Sequence, residues 1–423
     1  MQRSPLATTE YYEILSSHLV PMLAGSELEL SPISCDINAE KVVREVAGKL
    51  LVRPDPVWPH YFRLQRTHPF EVDDINITKQ FVRALDEKLV ASGQPFFPYL
   101  VNKCPQDVVA WSMQHRSMDD ALLPTIIMAL QKWASQTYEG ARISVAIGVD
   151  CAPEPRRISN IHLHQLVNHD YAKVLSNGLD TILVLSPSGH IVEHLALGAK
   201  INSGTRTPEA SFTPNRFLPL AEWAKGNRVA LVLNRQGEIL VFKKQRLQFA
   251  FRRGTWAHYS HSAMIARMGG LSQQRRLMRA VYASCLDISF ARTGGCIAIA
   301  NGKNARKVSD HLHSGDLLAR AGTEKATLLG HLIGQPFQDI PRPIREEMAA
   351  LDGAVVLDGT GNVMAAGAIV RVPGGSEGGG RRAAAKALSR LGLAIKVSAD
   401  GAITAFTNRG TQQNPEIAFE VCV

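Results

Sequence analysis

Three short segments near the C-terminus hold residues that could do chemistry together. The first is Asp352-Gly353-Ala354, at the start of an apolar run that reads as a strand. A carboxylate at a strand edge beside glycine can hold a divalent metal, because glycine lets a phosphate approach the backbone. The second is Gly378-Gly379-Gly380-Arg381-Arg382, where a glycine loop delivers two arginines to the start of the helical pattern RRAAAKALSRLG. Free backbone N–H groups, the positive end of the helix dipole and two guanidinium groups make such a place an anion trap. It is not a Walker A loop, since no Gly-Lys-Ser/Thr follows. The third is Val397-Ser398-Ala399-Asp400-Gly401, a turn between two expected strands. Singly, these are an ordinary turn acid, a solvated loop and a polar hairpin turn. Together they fall within about 50 residues, so one cleft could hold an acid, arginines and hydroxyls. An acid with a cationic clamp is what metal-dependent nucleotidyl transfer needs.

The surrounding elements must bring these segments together. LSQQRRLMRAVYASCLDISFARTGG predicts a helix closed by glycines, and CIAIA a short buried strand. KVSDHLHSGDLLARAGTEKATLLGHLIG reads as mixed turn and helix. After PRPIREEMAA, DGAVVLDGTGNVMAAGAIVRV gives two strands around a turn. The loop PGGSEGGG opens a helix, and LAIKVSADGAITAF is a strand pair. Further upstream, residues 8 to 50 read as helical with an interruption around Leu30 to Asn38, and VRPDPVWPHYF as a proline-broken loop. Two helical patterns follow, the second carrying Leu123, Ile126, Ile127, Leu130 and Trp133 as one apolar stripe. From residue 141 the period changes to strands: ARISVAIGVD and ISNIHLHQLV alternate, and hairpin signals stand at Pro187-Ser188-Gly189 and Asn234-Arg235-Gln236-Gly237. The expected organisation is an α+β domain over residues 1–255, helical to 140 and sheet-rich beyond, as a sensor-like regulatory region. A second α/β domain of mixed sheet flanked by helices follows over 265–412, and then a tail over 413–423.

Residues from about 270 to 410, roughly a third of the chain, resemble the diadenylate cyclase (DAC) domain of bacteria. That family's DGA motif stands here as Asp352-Gly353-Ala354. Its Arg-His-Arg motif, followed by small residues and a helix ending near serine, aligns with Arg381-Arg382-Ala383-Ala384-Ala385-Lys386-Ala387-Leu388-Ser389. ARTGGCIAIA resembles the segment before the family's cleft, and Ser398 falls where the family has a serine followed by acids, with Asp400 as the acid. The resemblance implies a DAC-like mixed sheet in which each domain holds one ATP and two domains meet face to face in a homodimer or larger assembly. Each 3′-hydroxyl would attack the other α-phosphate, giving cyclic di-AMP and two pyrophosphates. It further implies Asp352, Arg381 and Arg382 as catalytic residues. Gly353, Ala354, Gly379, Gly380 and Ser398 would bind nucleotide, and Asp352 and Asp400 would hold Mg²⁺ or Mn²⁺. At the family's histidine this chain has Arg382, and at its second arginine Ala383. A domain of this fold that binds nucleotide without turnover, and reports it through the N-terminal region, is the competing reading.

Composition sets the outer limits. The 423 residues are 45% hydrophobic and 20% charged, enough apolar material for sizeable cores and against intrinsic disorder. The net charge of +9 is concentrated: Arg235 to Ala280 holds ten Lys/Arg and only Glu238 as an acid. Such a stretch can attract nucleic acid, a third reading, although Phe242, Phe249, Phe251 and Trp256 among the cations also suit a half-buried sheet. Six cysteines without a C-x-x-C pair argue against a disulfide framework or a cysteine zinc site. No signal-peptide core and no apolar run of about 18 residues is present, so a cytoplasmic protein without a membrane span is expected. His162/His164, His311/His313 and His258/His261 could place imidazoles in pairs, but no Cys or acid stands at ligand spacing, and ordinary half-exposed strand histidines are expected.

Overall fold

The run VAIGVD is buried at every position, which places it inside a sheet covered on both faces. The computed structural model describes residues 6–34, 42–55, 58–91, 97–151, 159–169, 174–198, 212–269, 274–318, 323–372, 379–408 and 415–421. The chain divides into two units, Met1–Ser260 and His261–Val423. Both are mixtures of helix and sheet.

In the first unit, α1 (Thr8–Ile14) and α2 (Val20–Met22) precede a five-stranded antiparallel sheet. Its strands are β1 (Glu27–Leu28), β2 (Ile33–Ser34), β3 (Val43–Val46), β4 (Lys49–Val52) and β5 (His60–Gln65). The helix expected up to residue 50 therefore stops early. Ala47 and Gly48 both take positive φ and turn the β3–β4 hairpin, while Leu50, Val52, Phe62 and Leu64 alternate into the core. Helices α3 (Val72–Ala91), α4 (Phe97–Val101), α5 (Cys104–Met113) and α6 (Leu122–Ala134) follow. The α6 stripe of Leu123, Ile126, Ile127, Leu130 and Trp133 is buried, as its spacing requires.

After the small hairpin β6 (Thr137–Tyr138) and β7 (Ala141–Arg142), a seven-stranded sheet is built. It comprises β8 (Val145–Asp150), β9 (Thr181–Leu185), β10 (Ile191–Ala196), β11 (Arg228–Leu233), β12 (Ile239–Lys243), β13 (Arg246–Arg252) and β14 (Thr255–His258). The order is β10-β9-β8-β11-β12-β13-β14, with β8 and β9 parallel. Helices α7 (Leu163–Leu166) and α8 (Leu218–Trp223) lie between strands in sequence. Where ISNIHLHQLV alternates like a strand, α7 forms instead. His162 caps it by accepting from the His164 N–H, and the Gln165 side chain reaches back to the His162 N–H.

A buried polar knot closes this unit. The Asp74 carboxylate accepts from Ser260 Oγ at 2.8 and 3.0 Å, faces His258 Nδ1 at 3.0 Å and is paired with Arg66. Burial alone would raise the Asp74 pKa, but the His258 hydrogen bond and the charges of His258 and Arg66 hold it well below the usual carboxylate range.

In the second unit, α9 (His261–Arg267) and α10 (Arg275–Ala291) lead into β15 (Gly295–Ala300). Then come α11 (Val308–His311), α12 (Glu324–Leu332), α13 (Arg342–Ala350), β16 (Ala354–Asp358), β17 (Val363–Ala368), α14 (Gly380–Ser389), β18 (Gly392–Val397), β19 (Ile403–Thr407) and β20 (Glu416–Val421). The six strands order as β17-β16-β15-β18-β19-β20, with only β15 and β16 parallel. Residues 416–421, expected within a tail, are an edge strand: β20 pairs antiparallel with β19 and buries Phe419 and Val421. Arg342 bridges α13 to α10, its Nε and Nη2 each 2.7 Å from an Asp287 carboxylate oxygen, with both side chains buried. Since α13 ends two residues before Asp352, this pair fixes where that carboxylate emerges.

Four of the ten cations of the basic stretch are tied to carboxylates. Arg252 is buried against Glu238, Arg246 pairs with Asp73, Arg267 with Glu416, and Arg276 with Asp339. Among the described residues no helix is long and apolar enough to cross a membrane.

The folded Asp74 pKa lies below its unfolded value, so its contribution is full above about pH 4 and drains away as pH falls further. Urea unfolding followed between pH 6 and 3 should therefore show a steeper loss for the native chain than for Asp74→Asn. Parallel profiles would contradict the assignment.

Candidate functional site

Strand register decides what meets at the end of the second unit's sheet. Cys296 stands opposite Ala354 on the parallel β16 and opposite Lys396 on the antiparallel β18, and Ala354 pairs with Ala368 of β17. The residues just before β15 and β16 and those just after β17 and β18 therefore leave the sheet at the same end. Helix α14 packs on β15 and β18 and brings its N-terminus there. The Arg381 Nη1 lies only 2.5 Å from where a Cβ on Gly294 would sit, and Ala399 N only 3.0 Å from it. Glycine at 294, with φ +68, thus makes room for the Arg381 guanidinium.

A cleft of about 820 Å³ opens at this end. Asp352, Gly353, Gly379, Gly380, Arg381, Arg382 and Ser398 line it. Two residues expected there do not. Ala354 is fully buried in the sheet core, and Asp400 turns its Oδ1 to the Ala402 N–H at 3.2 Å, capping its own turn. Gly378 lies outside the described residues. Lys396, Ile369, Val370 and Val372 also line the cleft and were not singled out in the sequence. A lone lysine inside the apolar run LAIKV was the available signal for Lys396, since a cation in a buried strand needs a reason.

Asp352 is held by its neighbours' backbone. Gly353 has φ +106, and a Cβ there would lie 2.6 Å from Gly367 C and 2.7 Å from Ala368 O. The β17 backbone occupies the space a side chain would need.

Some arginines of this unit are structural and others are not. Arg267, Arg276 and Arg342 are each paired with a carboxylate. Among the described residues, the side chains of Arg381, Arg382, Lys396, Asp352 and Ser398 have no hydrogen-bond or ion-pair partner. Three cations, one carboxylate and one hydroxyl face one cavity. Cys296 also lines it, but burial pushes its thiol up to about 12 against the pull of Arg381. A neutral thiol of this kind is no nucleophile.

The histidine pairs do not form metal sites. The His162 and His164 rings stack at 4.8 Å around the α7 cap, and His311 lies in α11 while His313 follows it outside the helix. His258 faces Asp74 in the first unit, and His261 Nδ1 lies 2.8 Å from Tyr282 Oη in the second. Among the described residues no group of three or more His, Cys, Asp or Glu could hold a metal ion.

No family model matches the chain, and no curated protein does. Two solved structures show slight likeness. A hypothetical membrane spanning protein from Bacillus cereus is 16% identical, over 36% of this chain and 74% of that one, with a TM-score of 0.23. A double mutant of DacA from Staphylococcus aureus is 17% identical, over 35% of this chain and 90% of that one, with a TM-score of 0.22. Likeness at this level bears on neither fold nor activity.

Gly353→Ala should cost about 1–3 kcal/mol in urea unfolding, because it strains the backbone and strikes the β17 main chain. Gly379→Ala, at φ +90 but with nothing within 4 Å, should cost less. Equal losses would mean that the close approach at Gly353 does not exist.

Proposed function

We propose that the second unit is a nucleotidyltransferase of the diadenylate cyclase kind, condensing two ATP into cyclic di-AMP and two pyrophosphates under control of the N-terminal region. The observation that carries this reading is the cleft itself: three unpartnered cations, one carboxylate and one hydroxyl around a cavity of nucleotide size. Charged side chains left unpaired where they converge on one concave site are arranged for a charged ligand rather than for stability. A triphosphate satisfies three cations where a single carboxylate would not.

In this reading Arg381, Arg382 and the first N–H groups of α14 hold the phosphates, and Lys396 offsets further charge. The Ser398 hydroxyl donates to a phosphate oxygen. Asp352 orients the attacking 3′-hydroxyl and takes its proton. The new bond joins that oxygen to the α-phosphorus of the other nucleotide, and the bond to the β-phosphate breaks, releasing pyrophosphate. Ile369, Val370 and Val372 offer an apolar wall. One carboxylate beside a triphosphate suits Mg²⁺ or Mn²⁺, which take much of their coordination from phosphate and water, and the metal would supply neutralisation of the developing charge. With one such cleft among the described residues of a chain, closing a ring from two nucleotides needs two chains face to face.

Incubation with each nucleoside triphosphate and Mn²⁺, with mass spectrometry of the products, tests the proposal. Cyclic dinucleotide should form, and Asp352→Asn should lower turnover by about 10²–10³-fold while ATP still binds. Intact ATP binding with no cyclic or linear dinucleotide under any condition would defeat the cyclase reading in favour of a binding domain.

A further inference from the structure

A second cavity, of about 140 Å³, lies wholly within the first unit. Four structural pieces converge on it. Asp73, Asn76, Ile77 and Gln80 come from successive turns of one α3 face, as their spacing dictates. Ser112 and Met113 end α5. Lys243, Lys244, Gln248 and Phe249 come from the β12–β13 hairpin, and His258 from β14.

The charges in it are unusual. Lys243 is half-buried, and its ammonium donates to the Met113 carbonyl at 3.0 Å and the Ser112 carbonyl at 3.4 Å. An ammonium has three N–H donors, and among the described residues Lys243 has no carboxylate partner. Burial, then the neighbouring Lys244, lower its pKa, as expected of a cation lacking its counter-charge. Lys244 is likewise without a described partner and sits in a turn where both Lys244 (φ +54) and Gln245 (φ +59) take the left-handed region. The two-residue β12–β13 hairpin requires this conformation at both positions, and Lys244 occupies the first of them beside the cavity. The acid in the lining, Asp73, is already paired with Arg246 at 3.7 Å. Gln80 Oε1 is taken by Ser112 Oγ at 2.6 Å. His258 has its Nδ1 on Asp74, and Nε2 is its other hydrogen-bonding atom.

The geometry points to a binding site for a small oxyanion, a carboxylate or phosphate on a body of only a few carbons. Lys243 and Lys244 supply its charge complement, and Asn76 and His258 line the cavity beside them, while Gln248 Nε2 donates to the Lys243 carbonyl at 3.2 Å. The cavity is too small for a nucleotide, so this site is distinct in ligand as well as in place from the cleft of the second unit.

Calorimetric titration of the full-length chain tests it, with inorganic phosphate, acetate and succinate as separate probes that distinguish the two anion types. The chain used carries Arg381→Gln and Arg382→Gln, which silences the cationic cleft of the second unit. At least one probe should bind saturably at one site per chain, and Lys244→Gln should weaken it at least tenfold; Lys243→Met should do the same. If Lys243→Met fails to fold, the exposed Lys244 position decides alone. No saturable binding of any probe, or binding unchanged in Lys244→Gln, overturns the inference.

Discussion

The cleft of the second unit rests on one close backbone approach. At Gly353 the chain turns with φ +106 directly against the carbonyl of Ala368 and the main chain of Gly367. That approach lets β16 begin immediately after an exposed aspartate while β17 returns beside it. Shift it, and Asp352 leaves the end of the sheet where α14 presents its arginines. Gly294 plays the same part for Arg381, leaving the volume of a side chain to a guanidinium. The acid and the cations of the cleft are thus positioned by glycines that keep space empty.

The site's place in the sheet follows from the same topology. Parallel α/β sheets usually bind ligands beyond the carboxyl ends of their strands. Here the cleft lies before the N-terminal ends of β15 and β16, because α14 feeds the antiparallel β18 and carries its positive end to that edge. The buried Arg342–Asp287 bridge anchors α13, the element that delivers Asp352. The paired arginines hold elements together, as Arg342 does for α13 and α10, while Arg381 and Arg382 line the cleft without a described partner.

Much of this was readable in the residues, and the failures have physical causes. The α6 stripe and the hairpins around Ser188-Gly189 and Gln236-Gly237 follow from periodicity and turn chemistry alone. The region of β1 to β4 did not, because these strands are two to four residues long, too short to show a period against neighbouring helical patterns. ISNIHLHQLV failed through capping: His162 closes a helix turn that its apolar alternation hides. At the cleft, Asp352, Arg381 and Ser398 were picked out by residue type and order. Asp400 was misplaced because a turn acid with a nearby N–H caps its own loop, which spacing cannot reveal. Ala354 was misplaced because strand alternation alone does not say where an edge becomes core. For Lys396 the linear signal, a lone cation in an apolar run, marks an exception to burial but not which cavity it meets.

The central claim is that Asp352 and the Arg381–Arg382 pair address one triphosphate. A crystal structure of the chain with a non-hydrolysable ATP analogue and Mg²⁺ tests it most directly. The account predicts the phosphates within hydrogen-bond distance of Arg381 or Arg382, with the Asp352 carboxylate on the same ligand. Analogue seated elsewhere, or held by the arginines with Asp352 facing away into solvent, would contradict it.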